Sequence, residues 1–426
     1  MVFFKQITKV SMQNIKTQKI VKTTNVKIRL PKNWDKNAQM LWLQDKKQDA
    51  IQIVIRALNE YPNGERPADL FLQLGYYLYL TGDRLAATKF LETGYQQNRH
   101  NYELLKNLAV TLTGSGEYEK ALQYWQIYIQ KNPTDYLAYD SLTMCYYKTD
   151  QLEQAKEAGT HALTLKDKQH GYSSEGLVIP TESITKFLAN KTINVISFSL
   201  WGSNPRYLRG AIDNAQARFY IYPNWKMRFY VDESVPEDVC KALQNLGGEI
   251  IYEKPGQSIK QKLAWRFKVA NDPTVGRFLV RDIDSVVNIR EQKAVEEWIK
   301  SDKWFHIMRD WWSHTDLILA GMWGGVANVL PCMATALDSY VPAAMETPNI
   351  DQWFLRDKVW GLIKTSCLIH DRFFSTNNTV NWLEDSIQNR NSWHVGQDIN
   401  AVEPIEQAQR ISAWSVIVPS LKLPQN

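Results

Sequence analysis

Asp282 and Asp284, separated by one residue, are the residues whose type and spacing most directly suggest chemistry. They follow the apolar run Phe278-Leu279-Val280, whose residues favour a buried β-strand. Because side chains alternate along a strand, residues two apart leave its end on the same side. In an open α/β sheet, ligands bind in the crevice at such strand ends. Two carboxylates there supply hard oxygen ligands for Mg²⁺ or Mn²⁺, and such an ion can hold a diphosphate.

The same pattern has an ordinary explanation, because about one Asp-x-Asp is expected by chance in a chain of this size. The sequence contains this one alone. Its position directly after a strand-like run favours a metal site, provided that the surrounding segments build a suitable fold.

The composition is that of a globular protein, with 44% hydrophobic and 22% charged residues in 426 positions. This length predicts two or three domains. The net charge of +5 is mild, and eight basic residues precede the first acid, Asp35. We predict a basic N-terminal arm over residues 1–36, which is either solvated or touches a phosphate-rich surface such as the inner face of a membrane. No other feature favours nucleic-acid binding.

Four scattered cysteines, without any Cys-x-x-Cys, favour a reducing compartment and disfavour structural zinc. The N-terminus lacks the apolar run of a secretion signal, and no stretch approaches about 20 uninterrupted apolar residues. We therefore predict a cytoplasmic protein without a transmembrane segment. The 16 Trp and 20 Tyr residues can pack cores or stack against sugar rings.

A repeat occupies residues 37–166. Alanines and leucines recur there at a spacing of 34 residues: Ala87, Ala121, Ala155 and Leu74, Leu108, Leu142. Small or turn-type residues recur at the expected helix junctions, and Pro133 closes one unit. This pattern resembles the tetratricopeptide family, although the family's leading Trp is absent. The resemblance implies stacked helical hairpins with a concave groove, which is a candidate site for a protein partner.

Residues 167–190 contain glycines, paired serines and a proline, and we predict a linker there. Residues 191–426 then alternate strand-like and helix-like segments. The predicted strands are Ile193–Leu200, Met227–Val231, Glu249–Tyr252, Arg277–Arg281 and Trp304–Met308, and the predicted helices are Asn204–Phe219, Glu237–Leu246, Lys260–Ala270 and Glu291–Ser301. Such alternation predicts an α/β domain whose mostly parallel sheet is covered on both faces. The fold class expected for the chain is α+α/β, a helical repeat followed by this domain.

Six segments, in this order, give residues 191–400 a family resemblance. They are Ile196–Gly202, Arg281–Ser285, His306–Asp310, Gly321–Gly325, Asp351–Leu355 and Ile369–Asp371. Together they resemble the nucleotide-sugar glycosyltransferases of the GT-A fold, in the style of the glycogenin-like and bacterial lipopolysaccharide sugar transferases. The resemblance implies a metal-dependent enzyme of surface-glycan or glycoconjugate synthesis that uses a nucleotide-sugar donor. It also implies retention of the anomeric configuration.

The resemblance assigns Asp282 and Asp284 to a divalent ion, Mn²⁺ or Mg²⁺, that bridges the donor diphosphate. It assigns His370 as the third ligand, with His394 as the alternative, although a lone His is commonly structural. The chain lacks the Lys-Pro-Trp that continues the glycogenin-like pattern after the ligand His. The third ligand and the diphosphate clamp are therefore open at this point.

The resemblance also implies contacts with the donor. The nucleotide- and phosphate-binding positions are Ser197, Trp201, Gly202, Tyr207, Arg266 and Arg281. The alternative for Tyr207 is an exposed helix surface, and the alternative for either arginine is an ordinary salt bridge. Asp351 and Gln352 are implied to face the transferred sugar, at the start of a predicted helix over Asp351–Ile363. For Asp351 a plain helix N-cap is the alternative.

The remaining implied positions concern the sugar and the acceptor. The glycines of Gly321–Gly325 would let the backbone approach a sugar, or else form a tight turn. Arg309, Asp310 and His314 would shape the acceptor side. The sequence does not specify whether the acceptor is a glycan, a lipid-linked sugar or a protein. The competing hypotheses are a non-catalytic repeat scaffold with a degenerate sugar- or nucleotide-binding domain, and a phosphohydrolase, which would need a denser cluster of Asp and His.

Overall fold

The computed structural model describes residues 33–62, 64–172, 179–191, 193–342, 349–382, 394–398 and 415–421. The predicted basic arm therefore lies almost wholly outside the described residues. The described chain forms two compact units, of which the first ends at Leu165 and the second begins at Lys166. Within these described ranges, no helix is long and apolar enough to cross a membrane.

The first unit is built from consecutive helices. They are α1 (Lys36–Leu43), α2 (Lys47–Asn59), α3 (Ala68–Leu80), α4 (Arg84–Gln97), α5 (Tyr102–Ser115), α6 (Tyr118–Lys131), α7 (Tyr136–Lys148) and α8 (Leu152–His170), whose residues from Lys166 onward belong to the second unit. Helices α3, α5 and α7 begin 34 residues apart, and so do α4, α6 and α8. The predicted helical repeat of the tetratricopeptide type is thereby confirmed. Residues 167–170, which the sequence assigned to a linker, continue helix α8.

Helix caps and small residues explain why this segment folds as helix pairs. At four helix starts the N-cap side chain accepts a hydrogen bond from the first turn: Asp35, Asp83, Asn101 and Asp135. Gly75 and Gly94 let neighbouring helices approach closely. A Cβ on Gly75 would lie 2.6 Å from the Leu91 side chain, and one on Gly94 would lie 2.6 Å from the Phe71 ring.

The second unit combines strands and helices. The strands are β1 (Ile193–Leu200), β2 (Trp225–Val231), β3 (Glu249–Tyr252), β4 (Val275–Arg281), β5 (Phe305–Arg309), β6 (Met322–Val326), β7 (Cys367–Asp371) and β8 (Thr379–Val380). The helices are α9 (Ile184–Phe187), α10 (Pro205–Ile221), α11 (Glu237–Asn245), α12 (Ile259–Ala264), α13 (Ile289–Lys300), α14 (Met333–Ser339), α15 (Ile350–Phe354) and α16 (Trp360–Ile363). A 3₁₀ segment, Trp265–Asn271, follows α12, and a π-helical turn, Leu355–Val359, joins α15 to α16.

The strands form one sheet in the order β3-β2-β1-β4-β6-β5-β7-β8. Strand β6 is antiparallel to β4 and β5, and the other neighbouring pairs are parallel. This mixed, mostly parallel sheet agrees with the expected α+α/β class. The finer GT-A assignment stays a prediction.

The segment Gly321–Gly325 was predicted either to approach a sugar or to form a tight turn, but Gly324 and Gly325 lie within strand β6. A Cβ on Gly324 would lie 2.3 Å from the Phe278 carbonyl oxygen, and one on Gly325 would lie 2.5 Å from the Phe305 ring. These two glycines therefore let β6 fit between β4 and β5. They form neither a tight turn nor a surface for a sugar.

The order of the strands reverses between β1 and β4. Strands β2 and β3 extend the sheet from one side of β1, whereas β4 pairs with its other side. Helices that leave neighbouring strands in opposite directions open a crevice at the carboxyl ends, and ligands of α/β sheets bind there. The residues that follow β1 and β4 therefore form the candidate ligand-binding site.

Candidate functional site

The aspartate pair lies at this crevice, directly after β4 and beside the carboxyl end of β1. The Asp282 side chain is about half exposed, at 51%, and that of Asp284 is 19% exposed. Gly321, just before β6, makes room for the pair. A Cβ at Gly321 would lie only 2.2 Å from Oδ2 of Asp282. The carboxylate of Asp282 therefore packs against bare backbone, with its outer part open to solvent.

Arg266 joins Asp282 to a third carboxylate, that of Asp351. Its Nη1 donates to Asp282 Oδ1, and its Nη2 donates to Asp351 Oδ2 at 2.7 Å. The guanidinium also donates to the Arg281 carbonyl oxygen at 3.1 Å. Arg266 itself is only 5% exposed. Charge-assisted hydrogen bonds to two acids fix this arginine between them.

Two serines of β1 hold the backbone of Arg266. The Ser197 hydroxyl donates to the Arg266 carbonyl oxygen at 2.8 Å, and Ser199 Oγ accepts from the Arg266 N–H at 3.0 Å. Ser197 was a predicted nucleotide contact, but its side chain is fully buried. Ser197 therefore helps to position Arg266, and its side chain does not lie on the surface of the crevice.

Arg206 forms an ion pair with Asp284, as Arg266 does with Asp282. Its Nη2 binds Oδ2 of Asp284, and it also lies 2.8 Å from Oδ2 of Asp398. Neither Arg206 nor Asp398 was predicted from the sequence. A signal for Arg206 was present, because Asn204 caps α10 and places Arg206 in its first turn, just after β1. No local pattern points to Asp398.

The two aspartates of the pair differ in their electrostatics. Burial alone would raise the pKa of Asp282, but the Arg266 and Arg281 charges lower it below the ordinary value. For Asp284, burial and the neighbouring Asp282 charge raise the pKa, and Arg206 only partly offsets them. Four carboxylates share two guanidinium groups here, so the cluster holds two more acids than bases.

This excess of negative charge fits a divalent cation. Among the described residues, no three His, Cys, Asp or Glu side chains converge as a ready-made metal cluster. Mg²⁺, however, commonly binds through one or two protein carboxylates and completes its shell with waters and substrate phosphates. Asp282 and Asp284 are therefore the residues that fit a metal ion, and the oxygens of a diphosphate would supply its further ligands.

His370 lies in a separate polar cluster. Its Nδ1 is 2.9 Å from Nε2 of His306, and its Nε2 is 3.1 Å from Oε2 of Glu297. Both ring nitrogens are thus engaged within the protein, and the side chain is fully buried. The structure does not bring His370 together with the aspartate pair, so its predicted role as the third ligand finds no geometric support.

His394, the alternative ligand, lies in an aromatic group. Its ring stacks on Trp311 with centroids 4.7 Å apart and meets the His314 ring edge-on at 5.1 Å. The adjacent Val395 N–H donates to Oδ2 of Asp310 at 2.8 Å. This contact brings two of the predicted acceptor-side residues, Asp310 and His314, close to His394.

Arg281 and Arg309 lie in the interior. Arg281 is fully buried and pairs with Glu291 at 2.8 Å, and it donates to the Gly321 carbonyl oxygen at 3.0 Å. Arg309 is 1% exposed and lies 3.4 Å from Asp371. The buried guanidinium of Arg281, with these partners, does not reach a phosphate in the crevice. For Arg281, the structure corresponds to the salt-bridge alternative.

Three predicted donor positions follow the carboxyl end of β1. Trp201 is half-buried and meets Trp265 edge-on, with centroids 6.2 Å apart. Gly202 has a φ of +76°, which favours glycine, and its N–H donates to Ser234 Oγ at 2.7 Å. Tyr207 is half-buried, with the Arg206 guanidinium 5.2 Å from its ring. These positions therefore lie at the carboxyl end of β1, and Tyr207 contacts the arginine that binds Asp284.

Asp351 and Gln352 lie in the first turn of α15, where Asn349 occupies the N-cap position. Asp351 is therefore not the cap. Its Oδ1 accepts the Gln352 N–H at 2.9 Å, and burial raises its pKa. The Gln352 side-chain amide donates from Nε2 to Oδ2 of Asp316. Asp316 is a further polar residue of this group that was not predicted from the sequence.

Comparisons with known proteins add little about this site. The sequence matches no protein-family profile, and no curated protein matches it. Among solved structures, a MamA fragment from Desulfovibrio magneticus RS-1 is 20% identical, with 30% of this chain and 72% of that chain covered and a TM-score of 0.29. YrrB, described as a TPR protein with an unusual peptide-binding site, is 20% identical, with 30% and 64% covered and a TM-score of 0.27. The N-terminal part of this chain is similar to both of these helical-repeat proteins.

Proposed function

We propose that the second unit is a metal-dependent glycosyltransferase that moves a sugar from a nucleotide sugar to an acceptor. The observation that carries this proposal is the position of Asp282 and Asp284, which follow β4 beside β1 where the strand order reverses. A crevice at such a point is the usual ligand site of an open α/β sheet. The resemblance of six segments to the GT-A glycosyltransferases supports the same function.

Asp282 and Asp284 would hold Mn²⁺ or Mg²⁺, which neutralises the charge that develops on a departing nucleoside diphosphate. Arg266 and Arg206 favour the ionised form of these two carboxylates and orient them. Each guanidinium also binds a second carboxylate. The acids therefore hold fixed relative positions before a donor arrives, and such preorganisation lowers the barrier to reaction.

The carboxyl end of β1 would receive the nucleotide, where Trp201 and Tyr207 offer half-buried aromatic faces. Asp351 and Gln352 would face the transferred sugar from the other side of Arg266. Polar contacts there would strengthen as positive charge develops at the anomeric carbon. Interactions that are realised only in the transition state raise kcat.

The acceptor and the partner of the first unit complete the proposal. A glycan, a lipid-linked sugar or a protein would accept the sugar near Asp310 and His314. The helical repeat would bind a protein partner, because stacked repeats form extended concave surfaces. Retention of the anomeric configuration is proposed from the family resemblance alone.

A second candidate function is supported by the same arginines. Arg266 and Arg206 already form ion pairs with Asp282 and Asp284, as they would in a domain that binds a sugar or a nucleotide without metal. The protein would then be a repeat scaffold with a non-catalytic binding domain. The two functions differ in whether a bound donor is turned over.

The deciding experiment uses the full-length protein and a panel of nucleotide sugars, with Mn²⁺, Mg²⁺ or a chelator present. Thermal shift reports donor binding, and release of nucleoside diphosphate reports turnover. We expect one donor to raise the melting temperature and to be turned over only when metal is present. Binding without release would favour the scaffold, and the absence of both binding and release would contradict both functions.

A further inference from the structure

A buried lysine near the proposed site requires an explanation. Lys166 is only 1% exposed, at the beginning of the second unit. Its Nζ donates to the Thr315 carbonyl oxygen at 2.7 Å and to Oδ1 of Asp316 at 3.0 Å. Burying an ammonium group is costly unless it is paired and hydrogen-bonded. Such a pair contributes little to stability compared with apolar residues of similar volume, but it can fix the conformation of the groups that it binds.

Asp316 connects Lys166 to Gln352. One carboxylate oxygen of Asp316 binds Lys166, and the other accepts from Nε2 of Gln352. Burial would raise the pKa of Asp316, but Lys166, Arg356 and Gln352 lower it, so the carboxylate stays ionised and acts only as an acceptor. Because an acceptor can bind only the NH₂ end of the amide, Asp316 fixes which way the amide of Gln352 faces.

The network continues to the aspartate pair. The Gln352 N–H donates to Oδ1 of Asp351 at 2.9 Å, and Oδ2 of Asp351 accepts from Arg266 at 2.7 Å. Arg266 in turn binds Asp282. A series of charged and hydrogen-bonded groups, all within the second unit, thus runs from Lys166 to Asp282, one of the two proposed metal ligands.

We propose that Lys166 and Asp316 are positioning residues that hold the Gln352 amide with its Oε1 directed to the transferred sugar of the donor. This inference rests on the proposed function, because it assigns Gln352 a task in that reaction. An oriented carbonyl oxygen can accept from a sugar hydroxyl and interact with positive charge that develops on the sugar ring. The same amide in the opposite orientation would present a donor and lose both interactions.

The experiment compares a double variant with a matched control. Lys166→Met with Asp316→Leu removes both charges together, which is commonly tolerated in a buried pair, whereas removing one partner leaves a buried charge. The control is Lys364→Met, which removes a different ion pair of the second unit, that with Asp167 at 3.0 Å. Melting temperature, donor KM and kcat are measured for each. Hydrogen exchange of the Gln352 side-chain amide is followed by NMR, with Gln352→Glu to assign its signal.

We expect the double variant to fold and bind donor like the unaltered protein, while kcat falls by about 100-fold. We also expect its Gln352 amide protons to exchange faster, and we expect Lys364→Met to change neither kcat nor this exchange. A double variant with unaltered kcat, or with unaltered amide exchange, would overturn the inference. The amide measurement needs no substrate. If the unaltered protein turns over no donor, the proposed function fails with the role toward the sugar, and the NMR signal alone then shows whether Asp316 orients Gln352.

Discussion

Gly210 of helix α10 lies so close to Ile283 that a Cβ on Gly210 would be 2.1 Å from the Ile283 carbonyl oxygen. One turn later, Asn214 donates to the carbonyl oxygens of Ile283 and Ser285 and accepts from the Val287 N–H at 3.0 Å. Helix α10 therefore holds, through backbone contacts, the segment that carries the aspartate pair. The positions of the two carboxylates therefore depend on a helix that begins just after β1.

Gly210→Ala is predicted to displace this segment. A methyl group would overlap the Ile283 carbonyl, and overpacking of this kind costs about 1–3 kcal/mol. We expect a lower melting temperature and a loss of metal-dependent donor turnover, although residue 210 contributes no side chain to the site. Gln216→Ala, in the same helix, is the control. A Gly210→Ala protein with unaltered turnover would show that the segment does not depend on this contact.

Asp282→Asn and Asp284→Asn are each predicted to abolish metal-dependent turnover. Each change removes a charge from the proposed metal site but keeps the size of the side chain, and both side chains lie at a crevice. We therefore expect a circular dichroism spectrum like that of the unaltered protein. Asp302→Asn, at a side chain that is 89% exposed, controls for the loss of one carboxylate. Near-normal transfer by both variants at saturating Mn²⁺ would contradict the metal assignment.

Acid is predicted to destabilise the second unit through its buried histidines. Burial lowers the pKa of four of them below the usual value: His306, His314, His370 and His394. A histidine with a lowered pKa in the folded state binds its proton more readily when unfolded. Its contribution is therefore fully present above the unfolded pKa of about 6.5 and is lost as the pH falls below that value. Each group can change the free energy of unfolding by about 1.4 kcal/mol per pH unit.

The variant that checks this prediction is His306→Gln. It removes one of the four groups, so the free energy of unfolding should fall less steeply between about pH 6.5 and about pH 5. Denaturant unfolding at several pH values measures the slope, and His100→Gln at an exposed position of the first unit is the control. An unaltered slope in His306→Gln would contradict the assignment of acid sensitivity to the buried histidines.

The sequence predicted those features of the fold that depend on local periodicity. The 34-residue spacing predicted the helical repeat because each repeat packs mainly on its neighbours. Strands β1 and β3 have the predicted bounds, and the aspartate pair lies at a strand end as predicted. Strand β6 was not predicted because its glycines interrupt the apolar pattern that marks a strand. Glycine is needed at these positions because the neighbouring strands β4 and β5 leave no room for a Cβ.

The candidate site could be predicted only in part, because most of its contacts join residues that are distant in sequence. Arg206 reaches Asp398, and Lys166 reaches Asp316, through folding that no local pattern encodes. His370 shows the same limit. Its position in strand β7 follows from the local sequence. Its contact with His306 follows from the pairing of β5 with β7, which joins segments that are distant in sequence. The predicted helix from Asp351 likewise contains a π-helical turn that a regular helical period cannot indicate.

The last prediction concerns Asp351, for which a helix cap and a role at the sugar were both considered. In the structure Asn349 has the N-cap position, and the carboxylate of Asp351 binds Arg266 and the Gln352 N–H. Asp351→Asn keeps the size of the side chain and one acceptor oxygen, but it removes the negative charge beside Arg266. We expect kcat to fall while donor KM changes little, because the contacts that are lost matter most in the transition state.

Two comparisons complete this test. Asp351→Ala leaves Arg266 without one of its two acids, and loss of one partner from a buried pair costs about 3–5 kcal/mol. Asn349→Ala removes the residue at the cap position, where such a change typically costs about 1 kcal/mol, although here no side-chain cap bond is present to lose. We therefore expect melting temperatures in the order Asn349→Ala above Asp351→Asn above Asp351→Ala, with kcat reduced only in the two Asp351 variants. If Asp351→Asn and Asn349→Ala lower kcat equally, Asp351 acts through the start of helix α15 and not through the sugar.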